Sequence, residues 1–306
     1  IKNKEVGLVI TPELSLIGYP PKDLLFNPRL YDEEKDVLNI LSERLNNQCQ
    51  NLSVLIGIAE PTPDIEVPKL YNSVVILEQG TWRIIARKQL LPTYDVFDEK
   101  RYFRSAENSS ILNFNYQEKL WKIGITICED IWVEQNLQNG KIQGKDPIRS
   151  LEKDKLDLLI NLSASPFIES KNSLRQQIAA KAANRLACPV IYVNQVGGND
   201  ELIFDGSSFA LDKKGKLHQE LPAFKESVGI FDITSLNQQL SISSKYPTSQ
   251  EVLFRALVLG VKDYARKCNF NSAVIGLSGG IDSALVATIA GAALGISKVH
   301  AILMPS

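Results

Sequence analysis

Ala273-Val274-Ile275-Gly276-Leu277 runs directly into Ser278-Gly279-Gly280-Ile281-Asp282-Ser283, and a small-residue stretch from Ala284 to Leu294 follows at once. The first segment reads as a buried strand and the last as a helix, by their apolar run and alanine content. A strand, a glycine loop and a helix in that order build a cradle for phosphate. Adjacent glycines let backbone come close to an oxyanion and take φ values that other residues avoid. The helix start offers unpaired N–H groups and the positive end of its dipole. Ser278 and Ser283 add hydroxyls. No lysine sits in the loop, so it departs from the Walker pattern, in which a lysine reaches the β/γ-phosphates. The loop suits pyrophosphate held mainly by backbone and hydroxyl groups. A plain glycine turn is the competing reading, and the complete Ser-Gly-Gly-Ile-Asp-Ser string between strand and helix counts against it.

The neighbourhood of the loop forms a β-α-β unit. Upstream, Thr248 and Glu251 have capping-box spacing. They open a helix with Val252, Leu253, Ala256, Leu257, Val261 and Tyr264 on one face. Downstream, Val299 to Leu303 reads as a second strand. Residues 234–247 are polar, rich in Ser and Gln and without periodicity, and read as a linker. Everything before them alternates strand and helix. Strands are expected at Val6–Ile10, Ser53–Ala59, Ile123–Ile127, Leu156–Leu162, Val190–Asn194, Phe204–Leu211 and Val228–Ile233. A hairpin joins Asn72–Glu78 to Trp82–Lys88 through Gln79-Gly80. Helices are expected at Asp32–Leu45 and Ser173–Leu186. Continuous apolar strands covered on both faces make this an α/β domain. The expected organisation is therefore one domain over 1–233, a linker over 234–247 and the start of a second α/β domain over 248–306.

A chain of 306 residues accommodates two domains. Lys+Arg at 34 nearly balance Asp+Glu at 35, so no basic excess points to nucleic acid. No membrane-length apolar run and no signal peptide are visible. Cys49, Cys128, Cys188 and Cys268 are far apart with no CxxC pairing, which argues against zinc or a disulfide framework and for a reducing cytoplasm. The chain opens on a strand and stops at Met304-Pro305-Ser306, too soon after the phosphate loop to close a core. It reads as the middle of a longer polypeptide.

Three polar residues lie at or beside strand ends in the first domain: Glu13, Lys88 and Cys128. Ligand and catalytic groups of α/β folds gather beyond the carboxyl ends of strands. A cysteine with a glutamate and a lysine at hand serves as a covalent nucleophile for an amide carbon. Glu13 would take the thiol proton and later activate water. Lys88 would stabilise the thiolate and the oxyanion. Taken singly each signal is weak, since a cysteine ending a buried strand is more often an inert small hydrophobe.

Together they carry a resemblance. Pro12-Glu13-Leu14-Ser15-Leu16-Ile17-Gly18-Tyr19 resembles the glutamate motif of the nitrilase/amidase superfamily. Arg87-Lys88-Gln89-Leu90-Leu91-Pro92 resembles its lysine motif, with Tyr94, Phe97 and Phe103 after it. Gly124-Ile125-Thr126-Ile127-Cys128-Glu129-Asp130-Ile131-Trp132 resembles its cysteine motif, and all three stand in the family's order. The resemblance implies an α-β-β-α sandwich and attack on a non-peptide carbon–nitrogen bond through a thioester. It makes Glu13 the general base, Lys88 the catalytic lysine and Cys128 the nucleophile. The family's first strand and helix are missing ahead of the glutamate motif.

The loop at Gly276 to Ser283 resembles the PP-loop of ATP pyrophosphatases, which split ATP into AMP and pyrophosphate. A nitrilase-like amidase followed by a Rossmann-like PP-loop α/β domain resembles the glutamine-dependent NAD⁺ synthetase family. The segments Asn161 to Phe167 and Tyr192 to Ser208 agree with it. That resemblance implies glutamine hydrolysis, passage of ammonia through a tunnel, and adenylation of deamido-NAD⁺ by ATP with Mg²⁺. It also implies a homo-oligomer acting on small molecules, with no nucleic-acid or membrane partner. It assigns Tyr94, Ser165 and Lys171 to glutamine. Glu129 would partner Lys88 or the glutamine amino group, and Tyr19 would lie near the pocket. Gly276, Leu277, Ser278, Gly279, Gly280, Ile281, Asp282 and Ser283 match the ATP-binding loop, with Asp282 orienting the loop or approaching the metal. No metal ligand is named. Two other readings stay open: a nitrilase-type amidase or glutaminase serving another PP-loop acceptor, and an inactive scaffold that binds anions.

Overall fold

The computed structural model describes residues 6–62, 70–132, 144–233, 242–243 and 248–303 of the chain. The first sheet takes β1 (Leu8–Ile10), β2 (Ser53–Pro61), β3 (Leu70–Glu78) and β4 (Thr81–Arg87) in the order β1-β2-β3-β4. β1 runs parallel to β2 and the rest are antiparallel. Gln79 and Gly80 turn the β3–β4 hairpin with φ of 51° and 78°. That is the doubly left-handed turn that matches strand twist. Helix α1 (Arg29–Gln48) covers this sheet and is longer at both ends than its apolar pattern indicates.

The second sheet carries β5 (Ser110–Tyr116), β6 (Lys119–Ile127), β7 (Leu158–Ser163) and β8 (Val190–Asn194). Helix α2 (Pro147–Leu151) lies between β6 and β7, and α3 (Lys171–Leu186) joins β7 to β8. A separate hairpin, β9 (Val196–Asn199) with β10 (Leu202–Asp205), leads back to β11 (Phe209–Leu211), β12 (Leu217–Glu220) and β13 (Ile242–Ser243). The seven strands order as β13-β12-β11-β8-β7-β6-β5.

The two sheets pack face to face, and the period-two alternation of their strands shows how. On β3, Val74 and Ile76 face the other sheet while Val75 and Leu77 face α1 and its Leu38. On β7, Leu158, Ile160 and Leu162 face inward while Leu159 packs against α3. On β11, Ala210 points in and Phe209 and Leu211 point to α3. Strands that are apolar on both faces demand cover on both. The result is the expected α-β-β-α sandwich.

Three expectations fail. Phe204–Leu211 is two strands, because Gly206 and Ser207 adopt φ of 66° and 51° and pass the chain from the hairpin to the large sheet. Val228–Ile233 forms no strand. Val228 is exposed, and Phe231 and Ile233 pack on the inter-sheet core without joining a ladder. Thr248 is the N-cap of α4 (Ser249–Lys267) but makes no side-chain cap bond, and the Glu251 carboxylate pairs with Arg255 instead of closing a capping box. The linker lies mostly outside the described residues, and Ile242–Ser243 within it pairs parallel to β12.

The last unit is the expected β-α-β: β14 (Ala273–Leu277), α5 (Ile281–Leu294) and β15 (Val299–Leu303), with the strands parallel. It meets the sandwich through α4. Asp263 Oδ2 accepts from the Gly198 N–H at 2.8 Å, and Lys267 Nζ donates to Gly198 O and Asn199 Oδ1, each at 2.7 Å.

Glu34 on α1 is 5 % exposed; its Oε1 accepts from Ala59 N–H at 3.4 Å and its Oε2 has no partner. Burial pushes its carboxyl up to about 7. Between about pH 4.5 and 7 the unfolded chain has released a proton that the folded chain keeps, so stability falls as pH rises. Glu34→Gln is expected to gain roughly 2–3 kcal/mol at pH 8 and almost nothing at pH 4, read from urea unfolding midpoints. An equal effect at both pH values would remove Glu34 from this role.

Candidate active site

Glu13, Lys88 and Cys128 follow the ends of β1, β4 and β6, strands of two different sheets, and the sandwich brings them together in its interior. They are 1 %, 0 % and 3 % exposed. Lys88 Nζ donates to Glu13 Oε1 at 2.7 Å and to Glu99 Oε1 at 2.8 Å. Glu13 Oε1 also accepts from Asn72 Nδ2 at 2.7 Å, and its Oε2 from the Ala164 N–H at 2.9 Å. A carboxylate has about four lone-pair sites, so three partners hold Glu13 still and leave one site for an incoming proton.

Cys128 begins a tight turn straight after β6, with φ of 46°. A non-glycine residue held there stores on the order of 1–3 kcal/mol, and such strain gathers at functional sites. Two neighbours hold the turn. Asn161 Nδ2 donates to Cys128 O at 3.2 Å. Asp130 Oδ2 accepts from Ile127 N–H at 3.2 Å, while its Oδ1 accepts from Gln89 and Leu90 N–H at 3.0 and 2.8 Å. Asp130 thereby ties the lysine segment to the cysteine turn.

The electrostatics follow from packing one amine among several acids without water. Burial alone would pull the Lys88 amine down, but Glu13 and Glu99 hold it well above its ordinary value. Burial pushes Glu99 up to about 7 against the pull of Lys88. Burial and then the Glu13 charge push the Cys128 thiol well up, with Lys88 opposing. The resting sulfur is therefore a thiol, and its nucleophilic form requires a base in contact.

Beside this core sit the other expected residues. Tyr94 Oη donates to Glu129 Oε1 at 2.9 Å, and Glu129 Oε2, buried, has no partner among the described residues. Burial raises the Glu129 carboxyl, and Lys88, Tyr94 and Lys171 hold it back. Lys171 opens α3 with its Nζ 5.6 Å from the Trp132 ring and 6.0 Å from that of Phe97. Burial lowers its amine, as does Arg175, while Glu129 and Cys128 raise it. Ser165 follows Ala164, the residue that binds Glu13. Tyr19 Oη donates to Glu99 Oε1 at 2.8 Å, which ties Tyr19 to the lysine network. Glu99, Asp130 and Arg175 escaped the sequence reading. Glu99 lies in an Asp-Glu-Lys-Arg run that looks solvated, and only Phe103 beyond it hints at burial.

The phosphate-loop residues lie apart from this cluster, on the last unit. Gly279 has φ of 84° and Gly280 is the N-cap of α5. Ser283 Oγ donates to Gly280 O at 2.9 Å and faces Ser278 Oγ at 3.4 Å. Asp282 lies in the first turn and is not the cap. Gly276 and Leu277 end β14, and Ile281 begins α5. Among the described residues no group of three or more His, Cys, Asp or Glu could hold a metal ion.

Chains of known identity carry the same parts. The carbon-nitrogen hydrolase family model matches residues 1–240 and the NAD synthase model residues 253–306. A glutamine-dependent NAD(+) synthetase of Synechocystis sp. is 44 % identical over 98 % of this chain and 53 % of its own length. The structure of the glutamine-dependent NAD⁺ synthetase from Acinetobacter baumannii, in complex with ADP, superposes with TM-score 0.85 at 34 % identity, over 99 % of this chain and 54 % of that one. A carbon-nitrogen hydrolase of Helicobacter pylori G27, at 20 % identity and TM-score 0.56 over 74 % of this chain and 76 % of that one, shares the fold. The chain spans about half the length of the curated relatives it matches. With that family model covering the sandwich through β12 and the cysteine, glutamate and lysine at its centre, the chain belongs to the carbon–nitrogen hydrolase family.

Proposed function

We propose that the protein is a glutamine-dependent NAD⁺ synthetase. In this reading residues 1–233 are its glutaminase unit, 234–247 a link and 248–306 the start of its synthetase unit. The observation that carries the reading is the pairing of a buried Glu13–Lys88–Cys128 cluster with an unpartnered Glu129 oxygen and the Lys171 amine beside it. A zwitterionic amide fits those groups: its ammonium meets Glu129, its carboxylate meets Lys171, and its side-chain amide reaches the thiol.

The chemistry follows from the geometry. Glu13 takes the Cys128 proton as sulfur attacks the amide carbon. The Lys88 ammonium stabilises the oxyanion. Glu13 returns the proton to the leaving nitrogen, and the tetrahedral intermediate collapses, breaking the C–N bond so that ammonia departs and a thioester on Cys128 remains. Water, deprotonated by Glu13, then cleaves the thioester to glutamate and restores the thiol. Ammonia made in a dry interior escapes protonation by bulk water and remains a nucleophile.

In the second half of the reaction the loop at Ser278 to Ser283 receives ATP phosphates through backbone N–H groups and hydroxyls. The carboxylate of deamido-NAD⁺ attacks the α-phosphorus of ATP and pyrophosphate leaves, then ammonia displaces AMP to give the amide; Mg²⁺ carried in with ATP would offset the phosphate charge. The family match at 253–306 and the likeness to an ADP-bound structure support this half. The protein acts on small molecules in the cytoplasm as a homo-oligomer. Four free cysteines suit a reducing compartment, and no described helix is long and apolar enough to cross a membrane.

The test is NAD⁺ formation by the full-length protein from deamido-NAD⁺, ATP and Mg²⁺, with glutamine and with ammonium as nitrogen donors. Product with both donors and AMP in step is expected. Glutamate release without NAD⁺ would leave a glutaminase serving another acceptor, and the reading would fall.

A further inference from the structure

Arg175 is the bulkiest of the fully buried side chains and belongs to no motif used so far. It lies on α3 one turn after Lys171. Its Nη1 donates to both oxygens of Asp205, at 2.8 and 2.9 Å, and Asp205 is itself 1 % exposed. Its Nη2 donates to Ser165 O at 2.9 Å and Pro166 O at 3.1 Å, and its Nε donates to Ser165 Oγ at 3.1 Å. The backbone of Ser165 is fixed from the other side too. Its N–H donates to Asn194 Oδ1 at 2.9 Å, and its carbonyl accepts from Asn194 Nδ2 at 3.3 Å.

These bonds account for the polar functions of Ser165 except the hydroxyl proton. A guanidinium has donors and no acceptor. Because Arg175 Nε–H fills a lone pair of Ser165 Oγ, that hydroxyl cannot turn its proton toward Arg175. Among the described residues no acceptor takes the proton. The hydroxyl is thereby set as a donor, on the loop whose preceding N–H binds Glu13. Lys171, on the same face of α3, is a second donor.

We infer that Arg175, held by Asp205, is a positioning residue that fixes the Ser165 hydroxyl as a donor to the α-carboxylate of the substrate and so selects an amino-acid amide over a simple amide. This deepens the glutamine reading and rests on it. Arg175 touches no reacting atom. Its removal therefore weakens recognition of the carboxylate and leaves the chemistry at Cys128 intact. Lysine cannot replace it, because one ammonium cannot span Asp205, the Ser165 hydroxyl and two carbonyls at once.

The experiment compares two substrates of the full-length protein: glutamine, and 4-aminobutanamide, which is glutamine without its α-carboxylate. Wild type is expected to prefer glutamine by about 100-fold or more in kcat/KM, since a site built to bond a polar group rejects an analogue lacking it. Arg175→Lys is expected to raise KM for glutamine at least about tenfold with kcat within about threefold, and to leave hydrolysis of 4-aminobutanamide unchanged. A loss of packing would depress both substrates alike. Ser165→Ala, a small change that keeps the buried ion pair, is expected to give the same pattern and serves if Arg175→Lys does not fold. Equal losses on both substrates, or an unchanged preference in both variants, would overturn the inference alone. Wild type that hydrolyses neither substrate would overturn the glutamine reading, and the inference with it.

Discussion

Cys128→Ala is expected to lower glutamine-dependent NAD⁺ formation by the full-length protein at least about 10³-fold, the scale of losing a covalent nucleophile. Ammonium-dependent formation is expected to stay within about twofold, because the loop at Ser278 to Ser283 is untouched. The division follows from the geometry. The thiol sits in the sandwich among Glu13, Lys88 and Glu129, and the phosphate loop sits on the β14–α5 turn. Alanine removes the sulfur without crowding a turn whose left-handed φ the neighbours impose. Loss of both activities would mean that the two chemistries are not separate. Retention of glutamine use would remove Cys128 from the mechanism.

A second large effect is expected at a residue that touches no substrate. Gly57, on β2, lies under the glutamate segment. A Cβ there would meet Leu14 N at 2.3 Å, Glu13 C at 2.9 Å and Pro12 O at 2.9 Å, all of them backbone. The close approach is used, since Leu16 N–H donates to Gly57 O at 3.2 Å. Gly57→Ala must push the Glu13 backbone away, and Glu13 is held by three hydrogen bonds that do not move with it. A displacement near 1 Å at a catalytic group costs on the order of 100-fold in rate. We expect kcat/KM for glutamine to fall by about that factor, with ammonium-dependent synthesis unchanged and stability lowered by about 1–3 kcal/mol. Glutamine turnover within threefold of wild type would show that the segment relaxes freely and that the close approach is not needed.

Both variants act on parts that differ in how far the sequence discloses them. The strand pattern is plain where apolar runs are long: β2, β3, β7 and β8 are rich in Val, Leu and Ile, and their observed ends fall within two residues of the expected ones. It was not plain where tertiary contacts override pattern. β5 alternates apolar and polar residues and was missed beside the stronger β6, although its ladder to β6 runs from Ser110 to Tyr116. Phe204–Leu211 reads as one strand only if Asp205-Gly206-Ser207-Ser208 at its middle is passed over, and the left-handed pair Gly206 and Ser207 divides it there. Val228–Ile233 has strand composition, but Phe231 and Ile233 cover the core and no ladder forms.

The amino-acid sequence by itself determined the α/β class and the order of the two units, and it singled out the loop at Ser278 to Ser283 and Glu13, Lys88 and Cys128 as candidates. Those features rest on local periodicity and on short motifs, which neighbouring residues specify. Tertiary structure alone decided that Glu99 completes the lysine's ion pairs, that Asp130 joins two motifs and that Arg175 and Asp205 set Ser165. Arg175 and Asp205 are 30 residues apart in the chain and share a bidentate pair. Charged residues read as solvated unless a fold encloses them, since a buried charge is costly without a partner. Only the packing of one sheet on another supplies that enclosure and names the partner.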